Sequence, residues 1–229
     1  GTNYSNEGGW FDGDKIRFRS GYAERIGGWT RVSNTQVTGT PRKIFDFVTL
    51  TSQNLLFIGT EQKVFLENAG TFSDITPIRS TVSLGANPVN TTGGAGNGVV
   101  TVTTQAAHGA ITGDFVTLAS LTATDGITTA QLNKEQTILS VPSTTTFTIN
   151  TGGSASSGGV AGGGSSGTAA FQINIGLNTT VLGAGWGAGT WGRFTWGSAA
   201  GSLSGQTLRL FFADNFGEDL LFNIADGSI

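Results

Sequence analysis

Asn54-Leu55-Leu56-Phe57-Ile58-Gly59-Thr60, followed closely by Val64-Phe65-Leu66, is the stretch whose reading decides the fold. Two short runs of Leu, Phe, Ile and Val separated by a few polar residues are strands joined by a tight turn. Similar runs lie on either side. Lys43 to Leu50 reads as a preceding strand, Gln62 to Glu67 carries the second half of the hairpin, and Thr71 to Ile78 reads as a fourth strand. Four short strands in sequence form an antiparallel meander the size of one β-propeller blade.

Beyond this meander the texture changes. Residues 1–79 hold 17 charged side chains, whereas residues 80–206 hold five: Asp114, Asp125, Lys134, Glu135 and Arg193. Residues 80–97 read as a linker. After them, Gly98–Thr103, Asp114–Leu118, Gln136–Val141 and Thr145–Ile149 read as strands, with a helical turn over Ala130–Glu135. The glycine-serine tract Gly152 to Gly167 reads as a flexible excursion. From Thr207 the first texture resumes, as Thr207–Ala213 and Leu220–Ile224 around an acidic turn, Asp214 to Asp219. The pattern predicts an all-β chain in three parts. A first propeller-like blade spans 1–82, an inserted small β-barrel or sandwich spans 83–175, and 176–229 returns to the propeller-like domain. With no methionine even at position 1, and a strand pattern that breaks off at Ile229, the sequence reads as a piece of a longer chain.

Composition excludes several function classes. There is no cysteine, so disulfide frameworks and cysteine-zinc sites are out. No apolar run is long enough to span a bilayer as a helix. The net charge of −3 points neither to free nucleic acid nor to a membrane surface. The charge is unevenly spread, however. From Lys15 to Lys43 there are seven basic residues against one acid, Glu24. Lys15-Ile16-Arg17-Phe18-Arg19 alternates with period two, which places three cations on one strand face. With Arg25, these cations are candidate contacts to another subunit or to a DNA channel. Pairing with Asp12, Asp14 and Glu24 is the simpler role.

The remaining candidates carry no convincing chemistry. His108 is the only histidine; it lacks a nucleophile elbow or a second imidazole, and His108-Gly109 reads as a turn. Asp214, Glu218, Asp219 and Asp226 form an acidic cluster that turn chemistry explains better than calcium binding or glycoside hydrolysis. Gly93-Gly94-Ala95-Gly96 and Gly162-Gly163-Gly164 open no helix, so neither cradles phosphate. Trp186, Trp191 and Trp196 recur every five residues in a glycine-rich setting. Such rings either lock loops onto a neighbouring β-surface or form a sugar-stacking platform.

Two stretches carry a resemblance. Gly13-Asp14-Lys15-Ile16-Arg17-Phe18-Arg19-Ser20-Gly21, with Glu24-Arg25-Ile26-Gly27-Gly28-Trp29, resembles the start of a virion structural protein of tailed bacteriophages. Phe216-Gly217-Glu218-Asp219-Leu220-Leu221, with Asp226-Gly227, and the Trp-Gly repeat at 186–197 fit the same family. Ala107-His108-Gly109, Gly113-Asp114-Phe115-Val116, Leu132-Asn133-Lys134-Glu135 and Phe147-Thr148-Ile149 are similar to a small β-barrel inserted into phage virion proteins. The resemblance implies a tail nozzle or tail-tube-like protein carrying a β-propeller, in a ring of six copies around the DNA exit. It also implies contacts to other tail or portal and adaptor proteins, and transient non-specific contact with exiting DNA. It implies no membrane insertion, cofactor, metal or enzymatic residue set. The expected location is the virion, after assembly in the host cytoplasm. The alternative is a carbohydrate-binding module of a phage adhesin or tail fibre.

Overall fold

The computed structural model describes residues 13–28, 30, 31, 33–179 and 208–225. The chain divides into two compact units, one ending at Asn34 and the other starting at Thr35. With 48% strand and 2% helix, the protein is all-β.

The first unit holds one hairpin, β1 (Ile16–Arg19) and β2 (Tyr22–Arg25). Ser20 (φ 52°) and Gly21 (φ 83°) are both left-handed, which gives the two-residue turn whose twist suits an antiparallel pair. Glycine adopts this conformation freely, and Ser20 does so at some cost.

The second unit begins with the meander: β3 (Pro41–Val48), β4 (Asn54–Thr60), β5 (Val64–Asn68) and β6 (Thr71–Asp74), paired in that order. Ala69 (φ 49°) and Gly70 (φ 88°) form the same kind of two-residue turn between β5 and β6. The fourth strand is shorter than the sequence predicted. Thr76 instead closes a turn on Asp74, and Pro77 offers no N–H to continue the ladder.

The chain then enters a second sheet without a linker. Its strands are β7 (Ile78–Gly85), β8 (Val89–Asn90), β9 (Val99–Thr103), β10 (Phe115–Ala119), β11 (Glu135–Ser143), β12 (Thr146–Asn150), β13 (Ala161–Gly162) and β14 (Gly167–Gln172). The order is β13-β8-β9-β12-β11-β10-β14-β7, all neighbours antiparallel. One helical turn, α1 (Thr129–Leu132), is closed by a capping box between Thr128 and Gln131. Residues 80–97 are therefore strand for much of their length, and the linker expected there is corrected. β7 escaped notice because serines and threonines separate its inward residues Val82 and Leu84.

β11 turns the corner of this sheet. Residues 135–137 pair with β10, and residues 138–143 pair with β12 through two register shifts. The sheet curls round one core of Val100, Val102, Val116, Leu118, Ile138, Phe147, Ile149 and Phe171. Gln105 N–H donates to the Ser83 carbonyl where the curl brings β7 towards β9. The sheet stays open, so the expected barrel does not close.

The glycine-serine tract is pinned, contrary to the flexible excursion expected. Asp125 accepts hydrogen bonds from the Thr91 hydroxyl (2.9 Å) and from Ser157 N–H and Oγ (3.1 and 2.9 Å). Ala155 is buried and exchanges backbone bonds with Gly96 and Asn97.

The last hairpin, β15 (Phe211–Phe216) and β16 (Asp219–Ile224), turns at Gly217 (φ 65°) and Glu218. The turn is tighter than the six residues expected, and Asp214 and Asn215 lie within β15. Phe211, Ala213, Leu220, Phe222 and Ile224 face the meander and pack with Phe45, Phe57, Val64 and Ile75.

Candidate functional site

The basic residues of the first hairpin divide between two faces. Arg17 pairs with Glu24 across the strands and Arg19 stands opposite Tyr22, so Arg17 and Arg19 share a face, while Lys15 precedes β1 with a left-handed backbone (φ 56°) and is not part of the expected stripe. Arg25 stands opposite Ile16 on the other face. Arg17 Nη2 lies 3.0 Å from Glu24 Oε2, and Lys15 Nζ lies 3.7 Å from Asp14. These exposed pairs are each worth under about 1 kcal/mol, so they leave the face available to a partner. Asp12 and the tryptophans Trp186, Trp191 and Trp196 lie outside the described residues, as does Asp226.

The acidic candidates do not converge. Asp214 and Asp219 project from the outer face of the last hairpin, and Asp214 accepts its neighbour Asn215 N–H. Glu218 sits in the turn and accepts Leu50 N–H at 3.3 Å. Among the described residues, no group of three His, Cys, Asp or Glu side chains could hold a metal. That outer face is apolar as well as acidic: Phe212, Phe216 and Leu221 are 69%, 76% and 56% exposed. With Lys43, Asp214 and Asn223, two of them line an open groove of about 530 Å³.

His108 is a core residue. It stacks on Phe171 at 5.3 Å, meets the edge of Phe147, and accepts Ala110 N–H on Nδ1.

The most organised polar cluster was missed by sequence reasoning, and it joins the four-stranded meander to the eight-stranded sheet. Lys63 is 4% exposed and immediately precedes β5. Its backbone is fixed by Thr60, whose Oγ1 accepts Lys63 N–H and donates to Lys63 O. Lys63 Nζ donates to Asp74 Oδ2 on β6 and to Glu135 Oε1 on β11, both at 2.6 Å. The same ammonium lies 4.4 Å from the ring centre of Phe115 on β10. Glu135 Oε2 accepts from Gln172 Nε2 at 2.9 Å, and Gln172 is itself buried on β14.

Burial would raise the Asp74 pKa. Hydrogen bonds from Lys63 and from the Thr76 hydroxyl and N–H, together with the Lys63 charge, outweigh it and hold the carboxyl below its ordinary 3.8.

On the other side of the same joint, fully buried Asp114 accepts Ile111 N–H, Asn174 Nδ2 and Ile175 N–H at 2.9, 2.6 and 2.7 Å. Arg209 donates to Asn174 O. Burial draws its guanidinium below its usual range, against the opposing pull of Asp114 and Glu61.

No protein-family model, no curated protein and no solved structure matches this chain. The geometry therefore stands by itself. It offers buried ionic joints, exposed β-faces and a shallow groove. Among the described residues, Lys63 is the buried nucleophilic group held against two carboxylates. A lone lysine in the run Lys63-Val64-Phe65 was the one sequence signal, and its partner Glu135 is 72 residues away.

Proposed function

We propose that this protein is a structural component of a phage tail, of nozzle or tube-like type, that acts by assembling with copies of itself rather than by catalysis. The observation carrying the assembly reading is the outer face of β15–β16, where Phe212, Phe216 and Leu221 are exposed together beside two carboxylates. A two-stranded face with three large apolar side chains in water is characteristic of a surface meant to be covered. The tail assignment rests on the residue resemblance at 13–29 and 216–221. Six copies in the virion, adjoining portal or adaptor proteins, and a passage for DNA are parts of the same proposal.

The experiment is to purify the protein and follow its mass by sedimentation across a concentration series, then image the product and label it in particles. Closed rings, and label on the tail, are the expected results. A monomer at every concentration would remove the assembly reading, and label elsewhere would remove the tail assignment.

A further inference from the structure

We propose that Lys63 and Glu135 condense into a side-chain amide, a covalent strap between the meander and the eight-stranded sheet. Four features of the cluster match what that reaction needs. The nucleophile is positioned: Nζ lies 2.6 Å from Glu135 Oε1, on a residue whose backbone is fixed by Thr60 and whose side chain is almost wholly buried. A second carboxylate, Asp74, lies 2.6 Å from the same nitrogen and can move its protons. Gln172 Nε2 is aimed at Glu135 Oε2, where negative charge develops during attack. The Phe115 ring covers the ammonium and excludes water from that side.

Glu135 is the acyl partner, and Asp74 is the proton carrier. Asp74 accepts three hydrogen bonds, two on Oδ1 from Thr76 and one on Oδ2 from Lys63, against two on Glu135, and the additional bond favours its charged, unreactive form.

The step balances without a co-reactant. Lys63 passes one ammonium proton to Glu135 Oε1, turning the carboxylate into the acid. The nitrogen lone pair attacks Glu135 Cδ, forming the N–C bond and moving an electron pair onto Oε2 against Gln172. Asp74 takes a second proton from nitrogen and delivers it to Oε1. The Cδ–Oε1 bond breaks, water leaves, and the Oε2 pair returns to form the amide carbonyl. Asp74 ends as it began. Fixed proximity replaces the activation that amide formation needs in solution, where effective molarities of about 10⁵ M or more are reached in well-oriented pairs.

The test is the mass of the denatured, intact chain. A mass one water below the sum of the sequence is expected, with trypsin releasing Ile44–Arg79 joined to Glu135–Arg193 as one branched peptide. Ring closure at Asp12-Gly13, Asp125-Gly126 or Asp226-Gly227 would also lose water, but it leaves every peptide linear. Glu135→Gln should lose ammonia and converge on the wild-type mass, whereas Glu135→Ala should keep its full mass. A wild-type chain at full mass, or a mass loss with linear peptides only, overturns the proposal. Both of those measurements are made on the wild-type chain and need no variant to fold.

Discussion

The ring of Phe211 occupies the space above Gly59: a β-carbon at Gly59 would stand 2.6 Å from Phe211 Cδ2. The contact joins β4 to β15, residues 152 positions apart by subtraction of their numbers. It fixes the last hairpin on the meander, with Phe57 packed against both Phe211 (6.0 Å) and Phe222 (5.2 Å).

Gly59→Ala should therefore unseat the hairpin. Overpacking of a filled core costs about 1–3 kcal/mol, and here the neighbour is a buried ring with little room to move. The denaturant midpoint should fall while Phe211→Ala in the same background costs less than it does alone, a coupling that a double-mutant cycle reads directly.

In Glu135→Ala, where the strap cannot form and Lys63 stays an ammonium, acid should weaken the Lys63 joint through Asp74. The folded-state pKa lies below the unfolded value of 3.8, so its contribution is fully present above that value. It is lost as pH falls through the folded pKa. The stability difference between Glu135→Ala and the double variant Glu135→Ala, Asp74→Asn should be constant near neutrality and shrink below about pH 4. A difference that grows on acidification would contradict the assigned direction.

Loss of the Asp125 carboxylate should release the glycine-serine tract. Its pKa is also held low; desolvation opposes this, and the bonds from Thr91 and Ser157 prevail. In Asp125→Ala, the amides of Ser157 and Val160 should exchange faster, Val160 because its acceptor Thr91 Oγ1 loses its own anchor. Exchange in β12 should be unchanged.

Replacing Phe212, Phe216 and Leu221 together by serine should abolish self-association while leaving the denaturation midpoint nearly unaltered, because these side chains already face solvent. A large fall in stability would show that they are structural instead.

What the residues disclosed in advance follows a physical pattern. β4 was legible to its ends, because Asn54 to Thr60 is a continuous strand-forming run between turn residues. The short helical turn was legible near 130 but not at its end: Thr128 with Gln131 closes it over Thr129–Leu132, and Glu135 already begins β11. β7 was not legible, since only Val82 and Leu84 mark its inner face. The pinned tract at 152–167 misled because glycine and serine look the same in a loop held by Asp125 as in one held by nothing. The Lys63 cluster was beyond any local pattern: Asp74, Glu135 and Gln172 come from three strands of two sheets. Period and propensity report what a segment does with its own neighbours; they do not report which distant carboxylate meets a buried ammonium.

Ile78 and Gln172 are partners in the β7–β14 ladder, and Ile173 N–H donates to Pro77 O at 3.0 Å. The path out to the eight-stranded sheet and the path back thus begin and end side by side. Excising residues 78–172 and closing the gap with a tight loop should leave the host strands in register, and foreign cargo spliced at the same doorway should be carried without disturbing them.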